Sequence, residues 1–109
     1  MPIKKMERHL DDASSLLKAM SNTHRLTVLC HLAIGEKCVG ELEDIVGLSQ
    51  SALSQHLARL RRDGLVKTRR QAQTIYYSLA GDDALVVINS LVGLYDAPKS
   101  RARRLLPAE

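Results

Sequence analysis

Apolar residues recur every three to four positions along the first half of the chain, a spacing typical of amphipathic helices. Capping residues and helix breakers divide this pattern. Ser21-Asn22-Thr23 offers side chains that cap a helix, Gly35 ends that helix, and Gly47-Leu48 ends the next one. Ser49 caps a further helix, which ends at Asp63-Gly64. The sequence therefore predicts four helices, over about 6–20, 23–33, 39–46 and 49–62.

The spacing changes to that of β-strands after residue 64. A first run covers 65–70, and in a second run, 73–79, Ile75, Tyr77 and Leu79 alternate with Tyr76 and Ser78. We predict a β-hairpin here, although its turn at 71–72 contains neither Gly nor Asn. A last helix is predicted over about 82–95, and Pro98 ends the ordered part of the chain.

This order of elements, α-α-α-α-β-β-α, predicts a mainly helical fold with a β-hairpin, the winged helix-turn-helix. One domain, residues 6–96, is expected to carry both DNA binding and dimerisation, followed by a basic flexible tail, residues 97–109. The third and fourth helices form the helix-turn-helix. In such a fold the second helix of the pair enters the major groove of double-stranded DNA.

The fourth helix carries a narrow apolar stripe, Leu53, Leu57 and Leu60, which is expected to anchor it to the core. Its opposite face is polar. Gln can bond an adenine edge at two atoms, Ser can bond bases or phosphates, and the free amides of a helix start can hold a phosphate. The alternative is an ordinary exposed face, but its place in the second helix of the pair favours DNA recognition. The predicted contacts are Ser49, Gln50, Ser51, Ser54, Gln55, His56 and Arg59.

Positive charge is concentrated in the same part of the chain. Between Ser49 and Arg70 there are six Lys and Arg side chains and one acid, Asp63, whereas the whole chain carries a net charge of only +4. Clustered cations attract the phosphates of DNA. The hairpin, or wing, is therefore expected to contact phosphates or a minor groove, although charged strand edges also discourage aggregation. The predicted contacts of the wing are Lys67, Arg69, Arg70 and Gln73.

The last helix is apolar on nearly all sides and must be buried on more than one of them. A domain of this size has too small a core to cover every side, so a second copy of the chain is expected to cover the rest. The alternative is that one copy buries both terminal helices itself. A twofold dimer predicts a pseudo-palindromic operator. The predicted interface is Leu10, Ala13, Leu16, Leu17, Leu85, Ile88, Leu91, Val92 and Tyr95.

Composition and motifs argue against several other classes of function. No apolar run is long enough for a membrane span, and the start of the chain has no secretory pattern, so a cytoplasmic protein is expected. Paired carboxylates, a nucleophile with its base and a Gly-rich phosphate loop are all missing, which argues against an enzyme with a small-molecule substrate. An adaptor that has lost DNA binding is a further alternative, but the polar helix face and the cationic wing argue against it.

Several motifs together resemble the ArsR/SmtB transcriptional regulators. They are Asn22-Thr-His-Arg-Leu, Val39-Gly-Glu-Leu, Leu48-Ser-Gln-Ser-Ala-Leu-Ser-Gln-His-Leu, Leu60-Arg-Arg-Asp-Gly-Leu-Val and Ala72-Gln-Thr-Ile-Tyr-Tyr-Ser-Leu. The resemblance covers about residues 10–95 and is strongest to the branch of NolR-, HlyU- and BigR-like proteins. It implies a homodimeric winged-helix repressor that dimerises through its first and last helices, often released from DNA by a metal ion or a thiol modification.

The metal sites that the resemblance implies do not match this sequence. The arsenic and cadmium sensors carry Cys-Val-Cys in the third helix, where this chain has Cys38-Val39-Gly40 and therefore one thiolate. Soft-metal sites normally need three or four ligands. The zinc sensors place Asp and His on the last helix, which has no His here. We therefore expect neither a metal nor another cofactor.

The sulfide-responsive members use one Cys in the second helix and one near the end of the last helix. Cys30 matches the first position, but Asp96 occupies the second. Cys30 and Cys38 could still approach each other across the turn at Gly35, which the sequence alone cannot establish. A thiol-based redox or sulfide-responsive switch through Cys30, with or without Cys38, is thus the alternative to a repressor without a known effector. The simpler interpretation of Cys30 is a small buried core residue.

Overall fold

The computed structural model describes residues 2–96, and the predicted tail, 97–109, lies outside them. The described elements form a winged helix-turn-helix, as predicted: α4 and α5 are the helix-turn-helix, and β2 and β3 are the hairpin of the wing. In chain order the elements are α1 (Ile3–Glu7), α2 (Leu10–Met20), α3 (Thr23–Ile34), β1 (Lys37–Cys38), α4 (Val39–Val46), α5 (Gln50–Arg62), β2 (Val66–Gln71), β3 (Thr74–Leu79) and α6 (Asp83–Asp96).

The helix predicted over 6–20 is in fact two helices. A turn at Arg8 and His9 separates α1 from α2. His9 has φ −114° and ψ 7°, outside the α-helical range, while its carbonyl still accepts a hydrogen bond from the Ala13 amide at 2.8 Å. Neither Gly nor Pro stands at this turn. The sequence therefore carried no local signal for the break.

Side-chain caps begin α3 and α5 at the predicted residues. Asn22 Oδ1 accepts from the amide three residues later at 3.1 Å, and Ser49 Oγ does the same for α5 at 3.3 Å. At α4 the Glu41 carboxylate accepts from the Cys38 amide at 3.0 Å. This hydrogen bond is the main reason why the pKa of Glu41 is lowered. Glu41 thus secures the start of the helix-turn-helix.

Gly47 makes the tight turn between α4 and α5. Its φ of 75° lies in the left-handed region, which glycine adopts without steric cost. Its amide donates to the Glu43 carbonyl at 2.8 Å. This geometry confirms the helix end predicted at Gly47-Leu48 and sets the direction in which α5 leaves the turn.

The sheet is larger than the predicted hairpin because β1 adds a third strand. The strand order is β1-β3-β2, and both pairings are antiparallel. Lys37 pairs with Tyr77 and Cys38 pairs with Tyr76. A strand of two residues is too short to show an alternating pattern, so β1 could not be predicted from periodicity.

The turn of the wing lies one residue later than predicted. Gln71 pairs with Thr74, so the two turn residues are Ala72 and Gln73. Ala72 has a φ of 55°, a left-handed conformation that costs a residue with a Cβ atom about 1–2 kcal/mol. The turn of the wing is therefore locally strained, because Ala72 stands where a glycine would adopt this φ without steric cost.

One aliphatic core holds the elements together. Leu29 of α3, Leu42 of α4 and the α5 residues Leu53 and Leu60 are fully buried. Burying each such side chain contributes about 1.5–3 kcal/mol. Tyr77 and Leu79 of β3 pack against the edge of this core. Helix α5, the second or recognition helix of the helix-turn-helix, is thus fixed to the helices behind it and to the wing beside it.

Candidate nucleic-acid interface

The apolar stripe of α5 lies in the core and so directs the opposite face of the helix to solvent. Leu53, Leu57 and Leu60 are at most 2% exposed. The predicted contacts at the start of α5 are all exposed, as a surface that meets DNA requires: Ser49, Gln50, Ser51, Ser54 and Gln55. Their hydroxyl and amide groups, with the free amides of the first helical turn, can donate to and accept from base edges and phosphates.

The structure places His56 apart from the exposed polar residues of α5. The ring is partly buried. Its Nδ1 atom lies 3.3 Å from a guanidinium nitrogen of Arg25, and its centroid lies 5.6 Å from that of the His24 ring. Burial lowers the pKa of His56, and the charges of Arg25 and His24 lower it further. His56 therefore belongs to the contact between α5 and α3, which leaves it less accessible to DNA than the exposed residues beside it.

Arg59 lies at the edge of the predicted DNA-contacting face. Its Nε atom is 3.6 Å from a carboxylate oxygen of Asp63, one helical turn later. Arg62 approaches the other oxygen of Asp63 at 3.8 Å. Partly exposed pairs of this kind contribute little and exchange partners readily. Arg59 therefore stays among the candidate contacts.

Arg69, a predicted contact of the wing, is held by other residues of the chain. Two of its guanidinium nitrogens donate to the two carboxylate oxygens of Glu36, at 2.7 and 2.8 Å. A third donates to Gln71 at 3.0 Å, and the guanidinium lies 4.4 Å from the centre of the Tyr76 ring. These hydrogen bonds lower the pKa of Glu36 and raise that of Arg69. Arg69 therefore ties the wing to the chain that precedes β1.

No pattern in the sequence indicates that Glu36 is a partner of the wing. Glu36 is 33 residues from Arg69 and is brought there by β1, which pairs with β3. Tyr76 stands directly opposite Arg69 in the register of β2 and β3, whereas the turn predicted at 71–72 would have paired Arg69 with Thr74.

The other predicted contacts of the wing remain available. Lys67, Arg70 and Gln73 are exposed, and within residues 2–96 neither of the two cations has a carboxylate within 4.0 Å. Gln73 also lines a cleft of about 300 Å³ together with Gln50 at the start of α5 and Gly40 of α4. The start of the recognition helix and the turn of the wing therefore lie side by side.

The predicted dimer surface is largely exposed on a single chain. Leu10, Leu17, Val92 and Tyr95 are between 51% and 81% exposed, and the other interface residues of α2 and α6 are half-buried, namely Ala13, Leu16, Leu85 and Leu91. Ile88 is the exception: it is 6% exposed and lies in the core of the chain itself. Ile88 therefore has little surface to offer a partner, which corrects its predicted role.

The two cysteines are free thiols in different settings. Cys30 is exposed on α3 and lines a shallow cavity of about 590 Å³, whereas Cys38 is half-buried at the start of α4. The interpretation of Cys30 as a buried core residue is therefore wrong. Among the described residues, His, Cys, Asp and Glu side chains nowhere form a group of three or more that could hold a metal ion. Over the same residues, every helix falls short of the length and apolarity needed to cross a membrane.

Comparisons with known proteins agree with this geometry. The family model described as "Bacterial regulatory protein, arsR family" matches residues 22–68. The transcriptional activator HlyU of Vibrio cholerae is 52% identical over 95 residues, which cover 87% of this chain and 88% of HlyU. The nodulation protein NolR of Rhizobium meliloti is 50% identical over 91 residues, 82% of this chain and 75% of NolR. The crystal structure of the transcriptional repressor BigR from Xylella fastidiosa matches with a TM-score of 0.84 at 39% identity, over 90% of this chain and 100% of that one.

A helix-turn-helix with an exposed polar face, next to a basic hairpin, defines a winged-helix DNA-binding regulator of transcription and not an enzyme. Within that class, this chain belongs to the arsR family of bacterial regulatory proteins.

Proposed function

We propose that the chain binds a pseudo-palindromic DNA operator as a homodimer and represses transcription by occupying it, without a metal ion or other cofactor. The observation that carries this proposal is the division of α5 into a buried Leu stripe and an exposed polar face. Because the stripe fixes the rotation of the helix, Gln50 and Ser54 have a defined direction and can read base edges in the major groove. Such a protein acts where the DNA is, in the bacterial cytoplasm.

The wing is proposed to contact the DNA backbone through Lys67 and Arg70. Both are exposed cations on β2, and the cleft shared by Gln50 and Gln73 shows that the wing turn is next to the recognition helix. Phosphate contacts position a protein on DNA, whereas contacts with base edges specify the sequence. We therefore assign position and affinity to the wing, and sequence specificity to α5.

Homodimerisation is supported by the apolar side chains that a single chain leaves in solvent. α2 exposes Leu10 and Leu17, and α6 exposes Val92 and Tyr95. Apolar surface of this extent on a small domain indicates an interaction site. A second copy related by a twofold axis would cover it and present two recognition helices to two half-sites.

The direction of regulation is part of the proposal. BigR is described as a repressor, and HlyU is described as an activator. The DNA-binding fold and the proposed dimer surface account for the elements that the structure describes. A module of this kind represses transcription when it occupies a promoter, because it excludes other proteins from the same DNA. We expect a reporter placed behind the operator to be less active when the protein is present, and an increase in its activity would contradict repression.

The contribution of the wing is tested by the salt dependence of DNA binding. We expect footprinting upstream of the protein's own gene to protect an inverted repeat. The slope of log affinity against log salt should be shallower by about 2 in the Lys67→Ala/Arg70→Ala variant, because two phosphate contacts are lost. Lys4→Ala/Lys5→Ala removes the same charge from α1 and is expected to leave the slope close to that of the wild type. Equal slopes for both double variants would contradict the role of the wing.

A thiol switch is the second candidate function, and the exposure of Cys30 favours it over a purely structural role for that residue. Oxidation of an exposed thiol on α3 could alter the packing of the helices that hold α5. We expect polysulfide or peroxide treatment to change the DNA affinity of the wild type and not that of Cys30→Ser. The same affinity before and after treatment would exclude the switch while leaving the repressor proposal intact.

A further inference from the structure

Arg25 is a buried cation that stands apart from the proposed DNA contacts. It lies on α3 and is 8% exposed. Its Nε atom donates to the Ala19 carbonyl at 2.6 Å, and Nη2 donates to the Lys18 carbonyl at 3.2 Å. Both carbonyls belong to the last turn of α2, where the helix dipole favours a cation, and the Lys18 carbonyl also accepts from the Ser21 amide at 3.3 Å. Arg25 therefore caps the end of α2 from a neighbouring helix.

The same guanidinium reaches the recognition helix. Its Nη1 atom is 3.3 Å from Nδ1 of His56 on α5. A guanidinium has no acceptor and stays protonated, so the ring nitrogen must accept the hydrogen bond. The contact is thus a hydrogen bond only in the form of His56 that is neutral and carries its proton on Nε2. One planar group thus links α2, α3 and α5.

The groups around His56 favour this neutral state. Burial and the charge of Arg25 lower the pKa of His56, and His24 of α3 lowers it further. On α5 itself, Arg59 and Asp63 act in opposite directions on the pKa of Arg25.

Two other elements pack against α5 through aliphatic side chains. They are α4 and β2, and their buried residues in the shared core are aliphatic, Leu42 and Val66. The pKa of His56 is therefore lowered chiefly by burial, then by Arg25 and His24 of α3.

We propose that Arg25 is a positioning residue that holds α5 against the end of α2 through neutral His56, and that proton uptake by His56 opens this link and weakens DNA binding. The inference rests on the proposed function of α5. A protonated imidazole has no acceptor at Nδ1 and places a second positive charge beside the guanidinium. α2 also carries part of the proposed dimer surface, so the link joins that surface to the DNA-contacting helix.

The expected sign distinguishes this role from ordinary electrostatics. Protonating a histidine near DNA normally strengthens binding, because it adds a charge that attracts phosphate. In this fold the neutral form of His56 is favoured, so protonation is expected to weaken binding. The contribution of the link is therefore complete above the ordinary pKa of histidine, about 6.5, and is lost as the pH falls through the lowered pKa of His56.

The test measures the affinity of the full chain for a fluorescent duplex from its own upstream region, at constant salt, between pH 7.5 and 5.5. We expect the wild-type affinity to fall about three- to tenfold on acidification. In His56→Asn the amide oxygen takes the place of the Nδ1 acceptor and does not titrate, so its affinity should hardly depend on pH. His31→Asn changes a different partly buried histidine, which lies on α3, and is expected to retain the wild-type fall in DNA affinity.

A second variant tests Arg25 itself. Arg25→Lys keeps the charge but cannot serve three acceptors in one plane, so we expect weaker binding at pH 7.5 and a flatter pH profile. A wild-type affinity that is constant or rises on acidification, or an equal fall in His56→Asn, would overturn the link while the proposed function stands. No binding of the wild type at pH 7.5 would overturn the proposed function, and this inference with it.

Discussion

At the scale of single residues, the role of Arg69 depends on a partner that is distant in sequence. Its guanidinium forms a two-pronged contact with Glu36 and lies against Tyr76. Because Arg69 lowers the pKa of Glu36, the pair is intact at neutral pH and is lost only as the pH falls through that lowered value. Because the contact is two-pronged, we expect Arg69 to reach a phosphate less readily than a cation without such a partner.

Releasing Arg69 should therefore strengthen DNA binding. In Glu36→Gln we expect higher affinity and a salt dependence steeper by about 1, because one more cation becomes able to reach a phosphate. Fluorescence anisotropy over a series of salt concentrations measures both quantities. Glu43→Gln removes the same charge from α4 and serves as the control. If the two variants have the same salt slope, Arg69 does not become a phosphate contact.

Residues that act locally were predictable, and residues that act over long distances were not. Asn22 and Ser49 cap helices as expected, because a cap needs only its own amides a few residues away. His56 looked like one more polar residue of α5, and its partner Arg25 is 31 residues away. The folded chain, and not the pattern along it, decides which polar side chains of α5 remain free.

At the scale of elements, the apolar spacing predicted every helix of eight or more residues and both strands of the hairpin. The spacing did not predict the break between α1 and α2 or the short strand β1. The break between α1 and α2 has no Gly or Pro to mark it, and β1 exists only because Lys37 and Cys38 pair with β3. The sequence predicted the candidate site as a region of α5 and the wing. The partners that hold His56 and Arg69 within the chain were seen only in the structure.

The strained turn of the wing makes a prediction at this scale. Replacing Ala72 with glycine removes a Cβ atom from a residue with φ of 55°, so we expect Ala72→Gly to raise the free energy of unfolding by up to about 1 kcal/mol. Ala58→Gly, at an exposed position within α5, should lower it by about 1 kcal/mol. Urea unfolding measures both changes. A loss of stability in Ala72→Gly as large as that in Ala58→Gly would contradict the strain.

At the scale of the whole molecule, the apolar residues left exposed on α2 and α6 link assembly to DNA binding. A single chain presents one recognition helix, whereas a twofold dimer presents two at a fixed separation. The dimer is therefore expected to control affinity as well as stability.

A charge placed in the proposed dimer surface should separate the copies without unfolding either one. Val92 is 51% exposed, so Val92→Glu is expected to keep the fold, produce a monomer in sedimentation and lower the affinity for the operator by at least about tenfold. Val86→Glu introduces the same charge on the same helix at an exposed position outside that surface, and we expect it to remain a dimer. A dimeric Val92→Glu that binds DNA normally would show that the interface lies elsewhere.

The central claim, that the polar face of α5 reads DNA in two copies, is tested most directly by selecting bound sequences from a random duplex library. We predict enrichment of an inverted repeat with half-site centres one helical turn of DNA, or a multiple of it, apart. With Gln50→Ala the preference should relax at the same position in both half-sites, by about 1–3 kcal/mol of discrimination. No enriched sequence, a single motif without its inverted copy, or an unchanged preference with Gln50→Ala would contradict the claim.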